Sequence, residues 1–224
     1  MIALGALFTV GAIGWAATAG PVFRVRSIRI EGNTHIVKSE VIDLAGDVIG
    51  KHLTTLDFET IEQRLEAHPW ILRSGAEWSL SGALLLSITE RSAVAWARDP
   101  EGIVLLAADG VVLERSTSAP RGIEIPAITI AIEPGDRVPS PDLLAVAGSL
   151  PPEIRGRVDT IHPGPRGIVL DLRRGGLVLY GDATDRPEKA AAIASLLRWS
   201  EEQGIAVGYI DVRAPGTPTL KPAD

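Results

Sequence analysis

The stretch Ser27-Ile28-Arg29-Ile30-Glu31-Gly32-Asn33 alternates apolar and polar side chains and then turns. Period-two alternation puts Ile28 and Ile30 on one face of a half-buried strand, and Gly-Asn is a turn signal. Moving toward the C-terminus, Lys38 to Ala45 predicts a short helix, with Gly46 placed to end it. Asp57 predicts the N-cap of a second helix, with Leu56 and Ile61 at the positions of a hydrophobic staple. Phe58, Ile61 and Leu65 share one face of that helix, and Pro69 stops it. Two strands follow. From Trp70 to Leu80 the even positions Trp70, Leu72, Ala76, Trp78 and Leu80 form an apolar face. Ser81-Gly82 then turns the chain into Leu84, Leu86 and Ile88, again at period two. The order is strand, helix, helix, strand, strand.

On the N-terminal side, Ile2 to Ala19 carries no charged side chain. As a helix, eighteen residues span about 27 Å, close to the roughly 30 Å hydrocarbon core of a bilayer. Trp15 suits an interfacial anchor, and Gly20-Pro21 ends the helix. A signal peptide would carry a basic segment ahead of its apolar run, and none is present. A buried core helix fits poorly with the strand that follows, which bears Arg24, Arg26 and Arg29. The reading is a transmembrane helix over residues 1–21. Arg24 and Arg26 follow it while no Lys or Arg precedes it, so charge alone does not orient the span.

From Ser92 onward the strands are short and punctuated by turns. Asp109-Gly110 between Ile103–Leu106 and Val111–Leu113 is a strong hairpin signal. Further strands are expected at Ile128–Ile132, Gly167–Leu172 and Leu177–Tyr180, with a short helix over Pro141–Leu150. Asp185 and Glu188 read as the N-cap and third residue of a helix that buries Ile193, Leu196 and Leu197. The last strand is Ala206–Arg213, and Ala214–Asp224 reads as a disordered Pro-rich tail. The expected fold is α+β: a membrane helix (1–21), a β-α-α-β-β domain (22–91), a mostly antiparallel β domain with a C-terminal helix and strand (92–214), and a tail (215–224).

Composition bounds the chemistry. The 224 residues are 46% apolar and 22% charged with both signs mixed, enough to build a packed core. A net charge of −6 gives no electrostatic reason to expect nucleic acid. The absence of cysteine excludes disulfides, thiolate catalysis and cysteine-bound zinc.

No catalytic or cofactor motif is intact. Gly46-Asp47-Val48-Ile49-Gly50-Lys51-His52 is one residue short of a P-loop and has His where Ser or Thr should hold magnesium. It also follows a helix rather than a strand, so it reads as a loop. His35, His52, His68 and His162 are scattered without metal-ligand spacing, and there is no Gly-x-Ser-x-Gly elbow. Glu59, Glu62 and Glu66 read as a solvated helix face. Arg173-Arg174 before Gly175-Gly176 reads as a turn, with a basic contact to a lipid or partner as the alternative. No catalytic, cofactor-binding or metal-binding residue is expected.

The last strand carries the candidate binding residues Tyr209, Ile210, Asp211, Val212 and Arg213. Ile210 and Val212 can join the core while Tyr209, Asp211 and Arg213 form the other face. As a sheet edge, this strand could pair its free backbone groups with a partner strand, and Tyr and Arg are common interface anchors. A capped, solvated strand is the alternative.

Several segments, in order, resemble the FtsQ/DivIB family of bacterial cell-division proteins. Phe23 to Asn33 is similar to that family's first strand and Gly-Asn turn. Pro69-Trp70-Ile71 resembles its Pro-Trp-Val stretch, and Thr89-Glu90-Arg91 with Ala93-Val94-Ala95 resembles its Glu-Arg, Pro-Val-Ala strand. Asp109-Gly110-Val111-Val112 resembles the next hairpin. Leu179-Tyr180-Gly181 with Lys189, and Tyr209-Ile210-Asp211-Val212-Arg213, resemble its C-terminal strand ends and helix lysine. The family's Trp-Pro turn is here Leu80-Ser81, and Ala93 stands where proline is usual.

The resemblance implies a POTRA domain followed by a β domain in a single-pass protein of the inner membrane, its bulk extracytoplasmic, at the division septum. It implies a non-enzymatic divisome scaffold that binds FtsB- and FtsL-like membrane proteins at the C-terminal edge of the β domain and helps control septal peptidoglycan synthesis. Two rivals remain. A POTRA-bearing envelope transport or outer-membrane assembly factor requires a barrel, for which regular amphipathic strands are lacking. A cell-wall enzyme requires a poised carboxylate pair or metal cluster.

Overall fold

The computed structural model describes residues 23–223. The transmembrane helix expected over 1–21 lies outside the described residues, among which no helix is long and apolar enough to cross a membrane. The described residues divide into two compact units, with the boundary between Arg91 and Ser92.

In the first unit the elements run β1 (Ser27–Glu31), α1 (Lys38–Ala45), a 3-10 turn (Leu53–Thr55), α2 (Phe58–Glu66), β2 (Ile71–Trp78) and β3 (Ala83–Glu90). The sheet order is β1-β3-β2, with β1 parallel and β2 antiparallel to β3. Gly46 ends α1 at φ 79°, donating its N–H to the Ile42 and Asp43 carbonyls. The Asp57 carboxylate accepts from Thr60 N and caps α2. Val41, Ile61, Leu65, Ile71, Leu84 and Leu86 are buried in one core, which supplies the main stabilisation of so small a unit.

The ends of this unit are clamped by polar groups. The Glu90 carboxylate accepts the backbone N–H groups of Thr34, His35 and Ile36 at 2.8–3.0 Å. Burial pushes its pKa up, but these three donors outweigh it and hold the carboxyl below its usual range. Arg91 donates to the Pro69 and Ile71 carbonyls, and the His35 ring stacks on Trp70 at 3.6 Å between centroids. Gly32 lies at φ 85°, and a Cβ there would sit 2.1 Å from the Ile88 carbonyl oxygen. Only glycine fits that turn.

The alternation expected from Trp70 to Leu80 breaks at its start. The ladder with β3 slips between Ile71 and Arg73, leaving Leu72 as the extra residue. A bulge reverses which side chain faces inward, so Ile71 is buried and Leu72 exposed. Glu62 and Glu66 are also more than solvated: their carboxylates accept the N–H groups of Ala76 and Ser74 on β2 at 2.8 and 2.9 Å.

In the second unit the elements are β4 (Ala93–Asp99), β5 (Gly102–Ala107), β6 (Val112–Ser116), β7 (Ile123–Glu124), α3 (Pro141–Ser149), α4 (Pro152–Arg155), β8 (Val158–Gly164), β9 (Gly167–Leu172), β10 (Leu177–Gly181), α5 (Arg186–Glu202), β11 (Val207–Asp211) and β12 (Thr219–Pro222). They form one sheet ordered β12-β11-β10-β9-β8-β7-β4-β5-β6. The ladders are antiparallel except for β4–β7, β7–β8 and β10–β11. α3 and α5 pack on the sheet and on each other around Leu144, Tyr180, Ile193 and Ile210.

Three expectations fail here. Residues 128–132 form no strand: Ile130 is exposed and the Ile132 N–H is taken by the Asp99 carboxylate. Asp185 does not cap α5 through its side chain, because it sits in left-handed backbone at φ 48°, a conformation that Asp tolerates. The tail is not wholly disordered, since Thr219–Pro222 pairs antiparallel with β11 as β12. Proline is compatible with an edge strand, where an N–H is dispensable.

Asp99 organises the far edge. Its side chain is fully buried, accepts two bonds from the Arg115 guanidinium at 3.0 and 3.1 Å, and accepts Ile132 N. The Arg115 hydrogen bonds lower its pKa from 3.8 to about 2. A depressed carboxylate contributes stability fully above its unfolded pKa and loses it as pH falls toward the folded value. Asp99→Asn is therefore expected to lower the melting temperature at about pH 7, with the gap from wild type closing as pH falls from 3.8 toward 2. Thermal melts across that range check the sign.

Candidate functional site

The residues singled out near the C-terminus sit on β11 and just beyond it. Ile210 and Val212 are fully buried, while Tyr209 is 37% exposed and Arg213 also reaches solvent. Alternation along a strand produces this division. β11 is not the sheet edge. It lies between β10, to which it is parallel, and β12, where Tyr209 stands opposite Lys221 and Ile210 opposite Leu220. At this end of the sheet the terminal strand is β12.

Asp211 and Arg213 bind one another. Arg213 Nε lies 3.0 Å from Asp211 Oδ1 and Nη2 lies 2.5 Å from Oδ2. The Arg213 hydrogen bonds hold the Asp211 carboxyl below its usual range. A cavity of about 210 Å³ beside this pair is lined by Pro165, Arg166, Ile168, Leu179, Gly181 and Arg213. The exposed aromatic Tyr209, the paired Asp211 and Arg213, this cavity and the β12 edge together form the candidate site.

Lys189 supports it from beneath. The lysine is 1% exposed, and its ammonium donates to the Asp182 carbonyl at 2.9 Å and carboxylate at 2.7 Å. It also lies 4.9 Å from the centroid of the buried Tyr180 ring. Lys189 and the Thr184 donors lower the Asp182 pKa from 3.8 to about 2. The ammonium thereby ties the end of β10 to α5, and β10 is the strand on which β11 is built.

The opposite edge is partly covered. The segment 132–138 meets the start of β6: Val112 N donates to the Asp136 carbonyl and Gly135 N to the Val112 carbonyl, and the Arg115 side chain donates to the Ile132 carbonyl. β12 is thus the edge of the large sheet that no other described segment pairs along.

Other sequence candidates stay apart. His35 stacks on Trp70, His52 bonds Thr54, His68 lies 3.3 Å from Glu40 and His162 lies 3.2 Å from Asp171. Among the described residues no three His, Asp or Glu side chains converge as metal ligands would. Gly46–His52 follows α1 and wraps against Val25, whose carbonyl accepts Gly50 N. Arg173 turns between β9 and β10, pairs with Asp159 and donates to the Gly122 carbonyl. A cavity of about 500 Å³ there is lined by Arg157, Leu172, Arg173, Leu197, Ile205 and Val207. Sequence reasoning missed β12; its signal was Leu220, the one large apolar side chain in the tail, opposite Ile210.

The first unit is thus a mixed three-stranded sheet carrying two helices, and the second is built on a large sheet. Residues 23–91 match the family described as POTRA domain, FtsQ-type. The chain is similar to cell division protein FtsQ of Mycobacterium leprae, 29% identical over 93% of this chain and 59% of that protein. It is 27% identical to cell division protein FtsQ of Streptomyces venezuelae over 97% of this chain and 82% of that protein. It is 32% identical to cell division protein FtsQ of Anaeromyxobacter sp. over 57% of this chain and 45% of that protein. The chain thus spans only about half the length of some curated relatives. Residues 23–91 are an FtsQ-type POTRA domain, and the similarity to cell-division proteins named FtsQ extends over most of the chain.

Replacing Lys189 with Met keeps the aliphatic stem and removes both hydrogen bonds to Asp182. The variant is expected to be less stable than the wild type. Chemical denaturation checks it, and no loss would show that the ammonium is dispensable.

Proposed function

We propose that this protein is a non-enzymatic divisome scaffold: it is held in the bacterial inner membrane by residues 1–21, with its bulk on the extracytoplasmic side at the septum. In this reading it binds FtsB- and FtsL-like membrane proteins and through them helps control septal peptidoglycan synthesis. The observation that supports the reading is the β12 edge beside Tyr209, along which no other described segment pairs, in a sheet whose other edge is partly covered.

An extended partner segment adding to β12 would satisfy edge N–H and C=O groups in register, and side-chain contacts would supply specificity. Tyr209 offers a large, half-exposed aromatic surface of the kind that dominates interface energies. Asp211 and Arg213, already paired, would position the partner without a large further desolvation cost. Anchoring scaffold and partners in one membrane raises their effective concentration, so a modest interface suffices. The similarity to proteins named cell division protein FtsQ supports the cellular role.

The test uses the full chain in detergent with the cognate FtsB–FtsL-type pair. Tyr209→Ala is expected to weaken binding by roughly ten-fold or more, as loss of an interface anchor does. Lys221→Pro on the edge strand is expected to weaken it further. Unchanged affinity in both variants, with unchanged melting curves, would put the interface elsewhere; no binding by the wild type would sink the scaffold reading.

A further inference from the structure

Three separate segments meet where the chain enters the POTRA unit. Phe23 stacks on Trp78 with ring centroids 5.7 Å apart, and also meets His52 at 6.1 Å. Val25 N donates to the Lys51 carbonyl, Gly50 N donates to the Val25 carbonyl, and Arg24 bridges to His52. Arg26 N donates to the Gly82 carbonyl in the turn between β2 and β3. Residues 23–26, 49–52 and 78–82 therefore share one pole of this unit.

That pole has an unusual surface. Leu80, at the tip of the β2–β3 turn, is 82% exposed, and Ile49 is 52% exposed. Around them stand the exposed cations Arg24, Arg26 and Lys51, with Phe23 and Trp78 between. Arg24 uses one guanidinium nitrogen on the Gly50 carbonyl, which fixes the side chain without neutralising it. Asp47 and Glu77 are the acidic residues nearest in sequence. Aliphatic tips, aromatic rings and a basic rim form the pattern with which proteins seat on a membrane interface. The chain preceding this pole, Ile2 to Ala19, has no charged side chain.

We propose that this pole docks onto the surface of an anionic phospholipid bilayer, with Leu80 and Ile49 entering the interface and Arg24 and Lys51 pairing with headgroup phosphates. The inference deepens the membrane-anchored reading above and rests on it for which bilayer is met. Docking fixes the orientation of the POTRA unit on the membrane. A flexibly tethered unit, by contrast, would sample many orientations.

The chain has no cysteine, so Leu80→Cys places a single thiol for an environment-sensitive fluorophore. The full chain is reconstituted in vesicles of phosphatidylglycerol and phosphatidylethanolamine, and separately in phosphatidylcholine, with a label at Ser118→Cys as the comparison site. The expected result is a blue-shifted Leu80-site label, quenched several-fold more by spin-labelled lipid than the Ser118-site label. It should hold in anionic vesicles only, and be lost on adding Arg24→Glu with Lys51→Glu. Resistance of the protein to alkaline carbonate extraction is read in parallel and reports the span. A label unquenched in anionic vesicles overturns the docking whether or not the protein resists extraction. A quenched label on extractable protein leaves the docking standing and removes the span.

Discussion

A β-sheet ends in rows of backbone N–H and C=O groups that must find water, a cover or another strand. The two sheets of this protein meet that constraint in different ways. In the POTRA unit, Glu62 and Glu66 reach from α2 to the N–H groups of β2, so that edge is occupied by carboxylates. In the second unit, the segment 132–138 covers the start of β6, pinned by the buried Asp99 and its Arg115 partner. Among the described residues β12 is met by neither device. Its position outside β11 gives the candidate site its shape: Tyr209 stands on the strand next to the edge, while Ile210 and Val212 hold β11 in the core.

The motifs that carry the family resemblance are mostly clamps. Glu90 gathers three consecutive backbone N–H groups and Arg91 gathers two carbonyls, so the Glu-Arg pair ties together both ends of the β-α-α-β-β unit. Trp70 stacks on His35 beside them, and Gly32 permits a backbone approach that any Cβ would block. Lys189 does comparable work in the second unit by joining the end of β10 to α5. Charged hydrogen bonds of this kind are costly to break one-sidedly.

The POTRA unit was legible because its periodicities are clean and its breakers are strong. Gly46, Asp57, Pro69 and Gly82 each act within a few residues. The departures came from contacts distant in sequence. The bulge at Leu72 depends on β3, and the roles of Glu62 and Glu66 depend on the edge they face. The isoleucines at 128, 130 and 132 mimic a strand, yet a carboxylate from Asp99 takes the N–H that a ladder would need. At the candidate site, alternation correctly separated Tyr209 from Ile210, but the edge was misassigned. Thr219–Pro222 is short and proline-bounded, and it becomes a strand only because β11 is there to pair with it.

The central claim is that β12 is the edge on which a partner strand is built, and backbone hydrogen exchange reads that edge directly. The full chain is compared with and without a bound FtsB–FtsL-type pair. The account predicts new protection at Thr219, Leu220 or Lys221, wherever an amide faces away from β11, with exchange along β6 unchanged. A stable complex in which the β12 amides exchange as fast as in the free protein would contradict it.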